Sequence, residues 1–145
     1  MSDTFTNAQT KTNCHWQEDR IDYTYPGWFT EGLFDPNNPV LVDSLCRLER
    51  NNRHRCVIFV DDGLLKTSSN LINDIKAYAT AHRSSINLVA DPIPVPGGGK
   101  IKSDLHFVEQ MQQTFYDHHI DRHSYPITIG GGVIDAVSLV AATSY

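Results

Sequence analysis

Three consecutive glycines near the end of the chain form its strongest candidate binding motif. They separate a strand-like segment, residues 127–129 (ITI), from a helix-like segment that starts at residues 133–135 (VID). Glycine tolerates positive φ and lets the backbone come close to a ligand, and the first N–H groups of a helix attract anions. Gly130, Gly131 and Gly132 therefore predict a turn that binds pyrophosphate, and a tight turn that binds nothing is an equal alternative.

A second glycine-rich loop, residues 95–102 (VPGGGKIK), offers backbone amides and two lysines. A lysine ammonium serves as a point charge for phosphate, so Gly97, Gly98 and Lys102 are candidates for contacting the same ligand. When this segment is considered alone, a solvated loop with ordinary surface lysines is the favoured interpretation.

Two adjacent carboxylates, Asp61 and Asp62, follow the apolar run at residues 56–60. A carboxylate at the end of a buried strand can accept hydrogen bonds from ribose hydroxyls. Aspartate is also a common turn residue that caps local backbone groups. Both roles stay open for Asp61 at this point.

Several side chains of metal-binding types are close in sequence near a predicted helix end. Two of the histidines are adjacent, so they would point to different sides of a helix, and cations near a helix C-terminus are favourable without any metal. We therefore predict a structural role and no metal site for this group, which comprises Asp117, His118, His119, Asp121 and His123.

The elements that must position these motifs alternate between strands and helices. Short apolar runs predict strands buried on both faces, and apolar residues at helical spacing predict amphipathic helices between them. Strands are predicted at 56–60, 86–89 and 125–129, extended structure at 20–34, a loop at 91–99, and helices from about 39 to 49, over 64–82, from 103 to about 116 and from 133 to 143.

This alternation predicts an α/β fold with a mainly parallel sheet flanked by helices. Ligands of such sheets bind at the carboxyl ends of the strands. The loops at 61–63, 96–102 and 130–132 all follow predicted strands, so we expect them to gather along one edge of the sheet.

Composition limits the class of protein. The chain has 145 residues, of which 40% are hydrophobic, enough for the core of one domain. Its formal net charge is −5 and its lysines and arginines look scattered, so neither a nucleic-acid nor a membrane partner is predicted. Residues 1–17 are polar and lack the apolar core of a signal peptide, which predicts a flexible tail on a cytoplasmic protein.

The three cysteines, Cys14, Cys46 and Cys56, have spacings unlike those of metal motifs. We predict that they are free thiols. Two of them lie in apolar segments, where burial would keep them unreactive.

Taken in order, the three loops resemble the dehydroquinate synthase superfamily, the sugar phosphate cyclases. The resemblance rests on a strand ending in an acidic residue, on a Pro-Gly-Gly loop with a lysine, and on a strand followed by three glycines and an Asp-bearing helix. It extends from about Tyr23 to the C-terminus. The matching segments are 57–63 (VIFVDDG), 95–102 (VPGGGKIK), 129–135 (IGGGVID) and 140–143 (VAAT).

The resemblance implies a Rossmann-like domain at residues 18–145 that binds NAD. It places Asp61 near the adenosine ribose, Lys102 at the motif lysine, Gly131 and Gly132 at the pyrophosphate and Asp135 near the nicotinamide. The enzymes of this family are carbon–oxygen lyases that use NAD as a recycled cofactor. They bind the sugar phosphate substrate through a divalent metal ion, zinc or cobalt. The metal ligands belong to a C-terminal domain that we expect to be missing, so the catalytic residues stay unassigned and the chain alone is expected to be inactive.

Two alternatives remain. Gly99 replaces the glutamate of the family loop, and the approach to Asp135 is one residue short, which fits a non-catalytic remnant or an interaction module. That interpretation predicts an exposed apolar patch at Val137, Leu139 and Val140, or its burial by self-association. A metal-dependent alcohol dehydrogenase of the glycerol dehydrogenase type shares the glycine turn.

Overall fold

The apolar run after residue 53 forms the central strand of the sheet. A computed structural model describes residues 24–97, 105–134, 137 and 140, so the predicted tail at 1–17 lies outside the described residues. Strand β1 (His54–Asp61) is longer than the predicted 56–60, and Cys56 to Val60 are all buried. Such a run suits a strand with neighbours on both edges and helices on both faces.

All strand pairings in the described part of the chain are parallel and involve β1. Strands β2 (Ile86–Leu88) and β3 (Ile93–Val95) lie one after the other along one edge of β1, and β4 (Tyr125–Ile129) lies along the other edge. Between the pairs Cys56–Leu88 and Phe59–Ile93, β1 advances three residues while its neighbour advances five. The two additional residues separate β2 from β3 on this edge. The prediction of a loop over 91–99 is therefore wrong at β3.

The two faces of β1 pack against different helices. Cys56, Ile58 and Val60 face helix α1 (Val40–Leu45) and helix α3 (Leu71–Ala81). Val57 and Phe59 face helix α4 (Leu105–Asp117) and the helical residues after β4. The prediction of an α/β fold with a mainly parallel sheet flanked by helices is thus confirmed.

The exposed apolar patch predicted on the last helical segment is wrong for the two residues of it that the structure describes. Val137 is 6% exposed and Val140 is fully buried, and both pack in the core cluster that contains Val57 and Phe59. Their spacing of three residues puts them on one face of a helix, and that face lies against the sheet.

Tyr78 on α3 fixes the position of α1. Its hydroxyl donates to the carbonyl of Asn38 at 2.8 Å and accepts from the N–H of Val42 at 3.3 Å. Burial raises the pKa of the Tyr78 hydroxyl, so it stays a neutral donor. Helix α1 ends at Leu45, before the predicted end near Glu49, and the Cys46 N–H bonds to the Val42 carbonyl there.

The single helix predicted over 64–82 is divided in two. Helix α2 (Asp62–Thr67) ends at Ser68, whose N–H donates to the Leu64 carbonyl, and α3 begins after Asn70. Ser and Asn side chains compete with the helical backbone for hydrogen bonds. The break falls on three residues of these types, Ser68, Ser69 and Asn70, although the apolar spacing continues through them.

The aromatic segment predicted to be extended forms no strand over its described part. Residues 24–34 contain no strand, and Tyr25 and Phe29 are almost completely exposed. A strand needs a hydrogen-bonded neighbour for its backbone groups, and no described strand pairs with this segment. None of the described helices is long and apolar enough to cross a membrane.

Helix α4 ends in a Schellman motif that has histidine at its left-handed position. His119 has a φ of 49°, its N–H donates to the Tyr116 carbonyl, and the Ile120 N–H donates to the Phe115 carbonyl at 2.8 Å. Ile120 packs against the core cluster that contains Phe115. Glycine is the usual residue at this position because it has no Cβ.

We expect His119→Gly to stabilise the protein. A left-handed residue with a Cβ costs roughly 1–2 kcal/mol, and part of this gain is lost to the freer unfolded chain of the glycine variant. The free energy of unfolding in urea should rise by about 0.5–1 kcal/mol. The control is His118→Gly, because His118 does not have positive φ and should lose stability. Equal losses in both variants would contradict this account.

Candidate functional site

The loops after β1, β3 and β4 meet at the carboxyl edge of the sheet, as predicted from their order in the sequence. Asp61 is the last residue of β1 and pairs with Val95 of β3, and the neighbouring Val60 pairs with Ile129 of β4. The three strands therefore end at the same level. The side chain of Asp61 lies between the loops that follow β3 and β4.

Gly130 lies directly against Asp61. Its φ is 130°, and a Cβ added to it would lie 2.4 Å from the Asp61 Cβ. Real Cβ atoms do not come this close, so only glycine lets the turn after β4 approach the end of β1. The glycine here serves contact between two parts of the protein.

Gly97 approaches Asp61 from the other side. An added Cβ would lie 2.1 Å from Asp61 Oδ1 and 2.5 Å from both Cγ and Oδ2. The Gly97 N–H donates to Asp62 Oδ1 at 3.1 Å. The carboxylate of Asp62 thus fastens the loop after β3 to the start of α2.

Asp61 also caps α2. Its Oδ1 accepts from the N–H of Gly63 at 2.8 Å, and its backbone φ of −58° and ψ of 123° are those of an N-cap residue. An aspartate in this place satisfies one of the first N–H groups of a helix and complements its dipole. The capping role left open for Asp61 is present in the structure.

The second glycine of the turn is different from the first. Gly131 is exposed, and a Cβ added to it would meet no protein atom within 4 Å. The next residues, 132–134, are helical, and the Ile134 N–H donates to the Gly131 carbonyl at 3.3 Å. Gly131 therefore presents open backbone at the start of a helix, where N–H groups and the helix dipole favour an anion.

The chain leaves this edge in opposite directions. After β1 it continues into α2 and α3, and α3 packs on one face of the sheet. After β4 it continues into helical residues whose Val133 packs on the other face. Open α/β sheets bind ligands at the carboxyl ends of strands from which the chain diverges in this way.

The predicted site residues fall into three groups. Asp61, Gly97 and Gly130 are in direct contact, whereas Gly131 and Gly132 lie in the turn beside them. Gly98, Lys102 and Asp135 lie outside the described residues. The sequence left ribose binding and turn capping open for Asp61 and Asp62 as a pair, and it missed the hydrogen bond by which Asp62 holds the Gly97 loop.

The histidine and aspartate group near the end of α4 forms local structure. Asp121 Oδ1 accepts from the His123 N–H at 3.0 Å and from Ser124 Oγ at 2.8 Å, and these hydrogen bonds lower the pKa of the Asp121 carboxyl. His119 is in the Schellman motif. Among the residues that the structure describes, no three His, Cys, Asp or Glu side chains come together as metal ligands would.

Cys46 and Cys56 are free thiols, as predicted, and Cys14 lies outside the described residues. Cys56 is fully buried in the sheet. Burial, and to a smaller extent the nearby Cys46, raises the Cys56 pKa to about 12. The reactive form of cysteine is the thiolate, so Cys56 is a packing residue and not a nucleophile.

Comparison with known proteins adds no relative. No protein-family model, curated protein or solved structure matches the chain. The assignment of a function therefore rests on the residues and geometry of the carboxyl edge.

Proposed function

We propose that this chain is a Rossmann-like NAD-binding domain whose cofactor lies between the ends of β1 and β4. The single observation that carries the proposal is the convergence of the three strand-end loops on Asp61, beside the open backbone of Gly131. A carboxylate and a glycine turn at the start of a helix are the two features that recognise a ribose and a pyrophosphate.

The residues present fit the two polar parts of NAD at different points. A Cβ added to Gly131 would meet no described atom within 4 Å, so the described residues next to this Cβ position leave it open for a phosphate group to approach the start of the helix. The Asp61 carboxylate uses Oδ1 for the Gly63 N–H, and no hydrogen bond from the described residues reaches its Oδ2. That oxygen would accept from a ribose hydroxyl. Lys102, Gly98 and Asp135 complete the set in this proposal.

We further propose kinship with the dehydroquinate synthase superfamily, whose loops these three resemble. In that role NAD supplies reversible oxidation of a substrate hydroxyl, and the residues of this chain bind and orient the cofactor. In such an enzyme the sugar phosphate substrate and a zinc or cobalt ion are bound by residues that we do not assign in this chain. The proposed activity of the whole enzyme is that of a carbon–oxygen lyase, which cleaves a carbon–oxygen bond by elimination.

We expect Gly131→Ala to weaken NAD binding without unfolding the protein. The new Cβ meets no protein atom but would occupy the space through which a pyrophosphate reaches the backbone. Loss of one charge-assisted hydrogen bond, about 1.5–3 kcal/mol, corresponds to a rise in Kd of roughly tenfold or more. Isothermal titration with NAD gives the Kd of each variant.

The matched control is Gly27→Ala, because Gly27 also has no atom within 4 Å of an added Cβ and lies in the segment before α1, away from the strand ends. Its Kd should equal that of the unchanged protein. Equal affinities of the Gly131 variant, the Gly27 variant and the unchanged protein would refute the proposed pyrophosphate position. Absence of heat at millimolar NAD would refute NAD binding altogether.

A further inference from the structure

A basic surface with exposed aromatic side chains lies at the amino end of the sheet, opposite the strand ends described above. Residues 47–53 carry three arginines just before β1, and Arg83 lies just before β2. The two segments are held together because the His54 N–H donates to the Ser85 carbonyl at 2.7 Å. All four arginines are exposed. We call this surface the basic groove, and it comprises Trp28, Arg47, Arg50, Arg53 and Arg83.

Three cavities lie along the groove, and the first two share walls. Trp28, Arg47 and Arg50 line a cavity of about 660 Å³ that extends to Ser85. Trp28 and Arg47 also line a neighbouring cavity of about 340 Å³. Beyond Ser85, Arg53 and Arg83 line a third cavity of about 400 Å³. Trp28 and all four arginines of the groove therefore line concave surface.

The positive charge of the groove is available to a ligand. In the described part of the chain the one ion pair joins Lys76 to Asp91, and none involves these four arginines. Three carboxylates are near the groove: Asp43 lines the cavity of about 660 Å³, Glu49 is close to the arginines in sequence, and Glu31 lines a further cavity with Trp28. Four guanidinium groups outnumber these three acids. The sequence predicted no basic surface because the net charge is −5 and no long basic block occurs in it.

Exposed aromatic rings accompany the arginines. Tyr25 is 85% exposed, Trp28 is 58% exposed and Phe29 is fully exposed. The Arg47 guanidinium donates to the Thr24 carbonyl at 3.5 Å, which holds the aromatic segment beside the arginines. Aromatic side chains that alternate with cations in an open groove bind nucleic-acid bases by stacking and phosphates by charge.

We propose that the basic groove binds single-stranded nucleic acid, with Trp28 stacking on a base and Arg47, Arg50, Arg53 and Arg83 contacting phosphates. Stacking needs unpaired bases, which excludes an intact duplex as the preferred ligand. The arginines and Trp28 line concave walls, which a flat bilayer surface does not enter. This inference concerns the opposite edge of the sheet from the NAD site and does not depend on the proposed function.

The test uses the full chain and a fluorescein-labelled oligothymidylate of about 12 nucleotides, the length that one small domain covers. Anisotropy should report saturable binding at low salt. The affinity should fall with salt with a slope of about −0.7 for each phosphate contacted. A duplex of the same length should bind more weakly.

Two changes separate charge from stacking. Arg47→Gln combined with Arg50→Gln should reduce the magnitude of the salt slope by about 1.4, which is two phosphate contacts. Trp28→Ala should weaken binding about tenfold or more, and Trp28→Phe should retain most of it because phenylalanine also stacks. Lys66→Gln is the control for loss of a positive charge outside the groove, since Lys66 is exposed on α2 at the other edge, and it should leave the slope unchanged.

Four results would overturn the inference. They are no saturation with the oligonucleotide at low salt, an equal effect of Lys66→Gln and the arginine changes, an unchanged affinity in Trp28→Ala, and equally strong binding to phosphatidylserine vesicles or to polyglutamate. All of the altered side chains are exposed, so the thermal unfolding of each variant should match that of the unchanged protein. Addition of NAD should leave binding of the oligonucleotide unaltered.

Discussion

Gly130→Ala is expected to lower the free energy of unfolding by about 3 kcal/mol, with one part from backbone strain and one from overpacking. Gly130 has a φ of 130°, where residues with a Cβ are strained, and the new Cβ would meet the Asp61 Cβ at 2.4 Å. The Asp61 Cβ is attached directly to the backbone of β1 and cannot move aside. For a chain of this size, Tm should fall by about 10 °C.

Urea denaturation followed by circular dichroism measures this loss, and the adjacent glycine is the control. Gly131→Ala adds the same methyl group one residue later, without positive φ and without a contact. Its stability should change by about 0.5 kcal/mol or less, as for other substitutions at exposed sites. Similar stabilities for the two variants would show that the turn after β4 does not lie against Asp61.

Gly97→Ala is the second large effect, and we expect a loss of about 2 kcal/mol. The added Cβ would lie on the Asp61 carboxylate, 2.1 Å from Oδ1. The carboxylate would have to rotate away, which breaks the hydrogen bond that it accepts from the Gly63 N–H. The variant therefore combines steric strain with loss of a helix cap.

A double-mutant cycle distinguishes this explanation from a general intolerance of alanine. Asp61→Ala removes the three atoms nearest to the position of a Gly97 Cβ, at a cost of about 1 kcal/mol for the lost cap. Gly97→Ala should then add almost nothing in the Asp61→Ala background, giving a coupling energy of about 2 kcal/mol.

The same background should not rescue Gly130→Ala. The atom closest to the added Cβ there is the Asp61 Cβ, which alanine retains, and the strain from positive φ also remains. Additive losses for Gly97→Ala and Asp61→Ala, measured by urea denaturation, would contradict the contact at Gly97. Rescue of both glycine variants would contradict the geometry at Gly130.

The parts of the fold that the sequence predicted best are those in which one local signal dominates. Strand β4 begins and ends where predicted, at Tyr125 and Ile129, because an apolar run stands directly before three glycines. Burial of residues 56–60 on both faces was predicted from the uninterrupted apolar run. The convergence of the three loops followed from strand order alone, since parallel strands end at one edge.

The missed features depend on contacts between distant residues. Strand β3 contains Pro94 and only three residues, and it forms because Phe59 and Asp61 offer it a partner. The break between α2 and α3 is an exception, because it is local and the apolar spacing continues across residues 68–70. The aromatic segment at 24–34 has a composition typical of strands, but no described strand pairs with it.

The candidate site shows a similar division. The sequence selected Asp61, Gly97 and Gly130 as ligand-binding residues, and the structure brings these three together as a contact between loops. The glycines do allow a close approach to the backbone, as predicted, but at Gly97 and Gly130 the atoms that come close belong to Asp61 and not to a ligand. Gly131, whose added Cβ would meet only open space, is the glycine left to face a ligand.

The most direct test of NAD binding at this edge is an NMR titration of the ¹⁵N-labelled full chain with NAD. The account predicts that the largest amide shifts fall on Gly63, Gly97 and residues 130–133, and that amides at the amino end of the sheet, such as those of Arg53 and Ser85, stay in place. Shifts confined to the amino end, or none at millimolar NAD, would contradict the account.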